Sequence, residues 1–170
     1  MRALAVASGL ICLTTVGHAQ EKSVVELNSV RLYLPDEDMR ERVGDATPLA
    51  NYVKALQKEA TAFWEKAPRP EAKGVLVAVG VKPGKKARVW CDPVDGAIPV
   101  ATLAQLERKL GEVPAVAVKR GPIAFALEIN LWGQKPKEFP GAPKAWAEAA
   151  KKANKPLTIP DDLFQIIWPE

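Results

Sequence analysis

Histidine occurs once in these 170 residues, as His18, and cysteine twice, as Cys12 and Cys91. Each scarcity removes chemistry. One imidazole at the N-terminus leaves little room for Ser-His-Asp or Cys-His nucleophilic machinery, or for zinc held by His and Cys. Two cysteines, one of them within the first twenty residues, make no disulfide framework. No phosphate-binding P-loop occurs, and no GxGxxG follows a strand-like run. There is no internal repeat and no low-complexity tract. Beyond the first twenty residues, no apolar run approaches the ~20 residues of a membrane-spanning helix.

The stretch MRALAVASGLICLTTVGHAQ has the three-part layout of a secretory signal peptide. Arg2 supplies the positive start and Ala3 to Val16 an uncharged core. Gly17 and Ala19 place small residues three before and one before the Ala19–Gln20 bond. Ile11 stands where a lipoprotein signal wants a small residue before Cys12. Cleavage near Ala19–Gln20 predicts a secreted, periplasmic protein with no stable membrane insertion. Its mature chain, residues 20–170, is a single domain with Cys91 as its one cysteine and no imidazole. Lys and Arg total 24 against 20 Asp and Glu, and the two signs are interspersed. That reads as a solvated surface and not as a nucleic-acid stripe.

Periodicity then predicts the elements. ELNSVRLYL, Glu26 to Leu34, is rich in strand formers, and DEDMRERV, Asp36 to Val43, has room for two helical turns ended by Gly44 but reads as a charged surface linker. Thr47-Pro48 reads as a helix start. Leu49, Tyr52, Val53, Leu56, Ala60 and Phe63 then recur at spacings of three and four, laying an apolar stripe on a long helix. Val75, Val77, Val79 and Val81 alternate with Leu76, Ala78 and Gly80. Pro83-Gly84 turns the chain and Ala87 to Cys91 resumes it, which is a β-hairpin. The small Ala78 and Gly80 predict a helix packed closely over their face. Val100, Leu103, Leu106 and Leu110 mark a second amphipathic helix, stopped by Gly111, and Ala115 to Val118 a short strand. IAFALEINLW, from Ile123, is the clearest strand. Its odd positions are apolar. Ala124, Ala126, Glu128, Asn130 and Trp132 share a semi-polar face, which predicts that one side of the sheet is open. A short Ala-rich helix follows from Lys144 to Ala153, anchored by Trp146. The apolar C-terminal tail, residues 157–170, carries Leu163, Phe164, Ile166, Ile167 and Trp168 and is expected to dock on its own domain. The fold class expected is α+β, a small antiparallel sheet with two to three amphipathic helices on one face.

Candidate chemistry is sparse. Cys91, alternating with Val89 in a strand, reads as a buried structural thiol. Asp92 and Asp95 in CDPVDG are explained by a turn, and the alternative is a carboxylate-dependent hydrolase using both. Lys82, Lys85, Lys86 and Arg88 crowd the hairpin tip, either as a solvated end that resists edge aggregation or as a contact for an acidic partner. No cofactor and no metal is expected.

From Gly74 to Trp132 the chain resembles the C-terminal domain of TonB-type energy transducers. The stretches that carry the likeness are GVLVAVGVKPGKKARVWC, PVATLAQLERKL, VPAVAVKRGP and GPIAFALEINL. KLGEVPA lacks the aromatic-rich helix end of that family, and the Pro-rich linker and retained membrane helix are missing, which argues against energy transduction. What the resemblance implies is a TonB-like core that binds partner peptides by adding a strand to a sheet edge. The candidate edges are Ile123 to Trp132 and Glu26 to Leu34. The function expected is therefore a non-enzymatic, periplasmic protein- or peptide-binding domain. Asn130, Trp132 and Glu128 are the candidate contacts at its last strand, and Lys85, Lys86 and Arg88 those at its hairpin tip. An immunity or inhibitor protein directed at a periplasmic toxin or hydrolase is the alternative binding role.

Overall fold

The computed structural model describes residues 23–154 and 160–169; the predicted signal peptide and its cleavage site lie outside them. Four strands and five helices follow one another as β1 (Val25–Leu32), α1 (Asp36–Val43), α2 (Ala46–Trp64), β2 (Gly74–Lys82), β3 (Lys86–Val94), α3 (Val100–Gly111), β4 (Ile123–Leu131), α4 (Lys144–Lys152) and α5 (Pro160–Ile167). The strands form one antiparallel sheet in the order β1-β4-β2-β3. The fold is α+β, as the sequence predicts.

Period-two alternation divides the sheet into two faces. Val75, Val77, Val79 and Val81 of β2 meet Phe125, Leu127 and Ile129 of β4, and α2 and α3 cover them with Tyr52, Leu56, Trp64, Leu106 and Leu110. Asp45 caps α2, accepting the Thr47 N–H at 2.9 Å, so the helix starts earlier than Thr47-Pro48 suggested. Pro48 is tolerated in that first turn, where its missing N–H has no partner to lose. At the far end Trp64 is fully buried and Phe63 only partly so, the reverse of the order expected from the stripe. Val100 is likewise 82% exposed, because it starts α3 ahead of the turn that reaches the core. Val116 and Val118 are buried without forming a strand.

The second face is not open. Leu76, Ala78, Ala124 and Ala126 lie beneath α4 and α5, with Trp90, Trp146, Leu163 and Phe164 completing a second apolar cluster. Aromatic rings here meet edge-on, Trp90 with Trp146 at 5.2 Å and Trp146 with Phe164 at 5.8 Å between centroids. The apolar tail thus docks on its own domain. It does so because Gly80 leaves room: a Cβ there would stand 2.5 Å from Phe164 Cζ. Side chains at both ends hold α5. Arg42 of α1 pairs with Asp161 in its first turn at 2.8 Å. At its C-terminus Lys82 donates to the Trp168 carbonyl at 2.6 Å and Arg88 to the Ile167 carbonyl at 2.9 Å, where cations suit the helix dipole.

Gly80→Ala should lower stability by about 1–3 kcal/mol through overpacking against a ring with nowhere to go. Urea unfolding followed by tryptophan fluorescence checks this, and an unchanged midpoint would show that α5 is not seated as described.

Candidate functional site

β4 carries two polar residues among seven apolar ones, and both are buried: Glu128 is 6% and Asn130 2% exposed. They sit past the end of the α4–α5 cover, where the loop between β4 and α4 crosses the sheet. That crossing depends on Gly74, whose Cβ would fall 2.6 Å from Pro136 Cγ and 3.2 Å from Phe139 Cζ. The result is a polar cleft of about 460 Å³ between β1, β4 and the loop.

A buried carboxylate needs donors, and β1 supplies them. The Ser29 hydroxyl donates to Glu128 Oε2 at 2.7 Å and Asn28 Nδ2 to the same oxygen at 3.2 Å. Arg31 donates to Oε1 from Nε at 3.1 Å and from Nη2. Asn28 can join because a bulge between Leu27 and Ser29 inserts it in the β1 register. Burial alone would raise the Glu128 pKa, but the bonds from Ser29, Arg31 and Asn28 outweigh it and hold the carboxyl below its ordinary range. Asn130, one pleat further on the same face, has no side-chain hydrogen bond among the described residues and lines the cleft.

Trp132 does not join them. Its φ of 55° turns the chain beyond the strand end, and the indole packs against the α2–α3 face with Arg69 at 5.6 Å from its ring centroid. At the hairpin tip, Lys85 and Lys86 are exposed, Lys85 having a φ of 60° beside Gly84 at 87°. Arg88 is already engaged: it caps α5 and stacks 5.2 Å above Trp90. The six residues singled out from the sequence therefore fall in three separate places: Glu128 and Asn130 in the cleft, Trp132 on the α2–α3 face, and Lys85, Lys86 and Arg88 at the hairpin tip.

The strand edges also differ from expectation. β4 lies between β1 and β2 and offers no free edge. At the β3 edge, the Cys91 N–H points outward and donates to Glu107 Oε1 of α3 at 2.7 Å. Two residues on in the same orientation stands Pro93, which has no N–H to offer. β1 is the remaining edge. Tyr33 N donates inward to the Ala124 carbonyl at 3.1 Å, so alternation turns the amides and carbonyls of Val30 and Leu32 outward. Both side chains are 39% exposed. Beside them a groove of about 420 Å³ is lined by Leu32, Met39, Val43 and Leu49.

No family model matches the chain, and neither a curated protein nor a solved structure matches it. Asp92 accepts the Lys144 N–H at 2.6 Å, capping α4, and Asp95 pairs with Lys73 at 2.9 Å. No hydrogen bond joins the two carboxylates among the described residues. Burial, reinforced by Glu107 and Asp92, pushes the Cys91 thiol well up, so it is held as a thiol and not as a thiolate nucleophile. Among the described residues no group of three or more His, Cys, Asp or Glu is placed to hold a metal ion. No helix among them is long and apolar enough to cross a membrane.

The depressed Glu128 pKa fixes a sign. Its stabilising contribution is fully present above the unfolded carboxyl pKa, about 4.3, and is lost as pH falls through the lower folded value. Glu128→Gln should cost about 1–3 kcal/mol at neutral pH and flatten that acid limb, as read by denaturant titrations across the range. An acid limb identical to that of the parent would show that Glu128 is not the group responsible.

Proposed function

We propose that this domain binds an extended segment of a protein partner by strand addition along the outer rim of β1. The observation that supports this is the asymmetry of the two sheet edges. Glu107 and Pro93 block β3 from Cys91 to Pro93, whereas Val30 and Leu32 present outward backbone groups beside an apolar groove. A strand laid antiparallel or parallel to β1 would gain main-chain bonds there. Every second side chain would turn toward Leu32, Met39, Val43 and Leu49, giving specificity for apolar residues at alternate positions. Asp36, Arg40 and Asp45 rim the groove with mixed charge. The bulge at Asn28 limits the regular register to the stretch from Ser29 onward, so the recognised segment is short. The resemblance to TonB-type C-terminal domains and the signal-peptide layout of the N-terminus agree with a periplasmic partner-binding role, and no step of it calls for a catalytic group.

Leu32→Pro tests the mode. Its amide points away from β4, so proline removes an outward donor without deleting a ladder bond. Proline at Asn130, in a central strand, would instead break the sheet. Tagged protein and the Leu32→Pro variant, matched by circular dichroism, are compared by crosslinking capture from the envelope fraction of the host. Strand addition predicts loss of a partner that contacts Val30 to Leu32 in the parent. Equal capture by the folded variant would overturn it.

A further inference from the structure

We propose that the polar cleft on the opposite face of β1 is a second, independent binding site, for a small monocarboxylate. The argument starts from Glu128, whose two oxygens already accept four hydrogen bonds. A carboxylate so filled, with the Arg31 guanidinium against it, is neutralised and has no acceptor capacity to spare.

What remains unpaired in the cleft is a set of donors. Asn130 is 2% exposed and its carboxamide has no partner among the described residues. That carboxamide lines the cleft and is open to a ligand there. Arg31 uses Nε and Nη2 on Glu128 and leaves Nη1 on the side of Gly141, 3.7 Å from where a Cβ of that glycine would stand. Lys135 and Lys137 line the same cleft and form no ion pair within 4 Å among the described residues, although Lys137 is near enough to Asp95 to help lower its pKa, after the larger effect of Lys73. Carboxamide N–H, guanidinium and two ammonium groups suit an oxyanion, and a carboxylate takes such donors in a plane.

Acidic groups select among oxyanions. Glu138 lines the cleft, and Glu26 pairs in register with Asn130 on the neighbouring strand. These two charges oppose a dianion more than a monoanion, which favours a carboxylate over a phosphate. Phe139 supplies an apolar wall for the ligand's carbon skeleton, and about 460 Å³ is the volume of a small-molecule site.

The test titrates lactate and gluconate, with inorganic phosphate as the dianion, into 15N-labelled protein. Side-chain NH2 resonances of Asn130 and backbone amides of 135–139 are followed. The expected result is saturable shifts at these positions with a carboxylate, tighter than with phosphate. The double variant Lys135→Gln, Lys137→Gln replaces exposed side chains and should weaken the carboxylate by about tenfold, the effect of losing a charge-assisted contact. Asn130→Asp, which puts a negative charge on the cleft floor, should abolish it. Absence of saturation with every carboxylate, tighter binding of phosphate, or unchanged affinity in the lysine variant would each overturn the proposal. None of these outcomes bears on β1 strand addition, because Leu32 and its groove lie on the other face.

Discussion

The ring of Phe164 rests where a side chain at residue 80 would be, and much of the architecture depends on that one approach. With Gly80 and Ala78 lining one row of β2, and Ala124 and Ala126 the neighbouring row of β4, the second sheet face is shallow enough for α5 to lie almost on the backbone. Fully burying a phenylalanine contributes roughly 1.5–3 kcal/mol, but the geometric effect matters more. Once α5 is seated, Trp146 and Trp90 gain a third ring to pack against, and a face that would have met water becomes a second core. The ties at its two ends, Arg42 to Asp161 and Lys82 and Arg88 to the last carbonyls, fix its direction across the strands.

Covering that face changes what the polar residues of β4 do. Along one row the sequence runs Ala124, Ala126, Glu128, Asn130. The helices cover its small half, and the loop from β4 to α4 spans its polar half. A carboxylate placed there needs its own donors, and the bulge in β1 brings Asn28, Ser29 and Arg31 to it within three register steps. The bulge therefore has two consequences. It completes the shell around Glu128, and it interrupts the outer rim of the same strand.

Local elements were legible because their causes are local. The hairpin follows from alternation around Pro83-Gly84, and the helix over Gly80 from the two small residues beneath it, whereas α1, expected as a surface linker, is a two-turn helix that buries Met39. Relations between distant segments were not. Nothing in IAFALEINLW says that β1 pairs on its other side, since a semi-polar face is equally consistent with an exposed strand and with a central one whose polar groups have partners. Trp132 alternates correctly with Asn130, yet a positive φ immediately past the strand turns it to the other face. Phe63 and Trp64 are both apolar, and a small rotation of α2 decides which one reaches the core. Glu128 and Asn130 stood out in the sequence as polar positions on a face expected to be open, and the structure instead buries both beneath the loop from β4 to α4. Arg31, Asn28 and Ser29 were missed because they read as the polar side of an ordinary edge strand.

The two edges of the sheet carry the strongest functional contrast. An unpaired edge is an aggregation hazard, and chains blunt it with proline, charge or a covering side chain. On β3 this chain uses two of these devices within three residues: Pro93 lacks the donor, and Glu107 occupies the one at Cys91. On β1 the stretch after the bulge has neither. Val30 and Leu32 turn their backbone groups outward beside an apolar groove, with no hydrogen-bond partner for them among the described residues. A domain that needed only to avoid self-association would gain by closing both edges. The bulge then limits the regular outer rim of β1 to the residues from Ser29 onward.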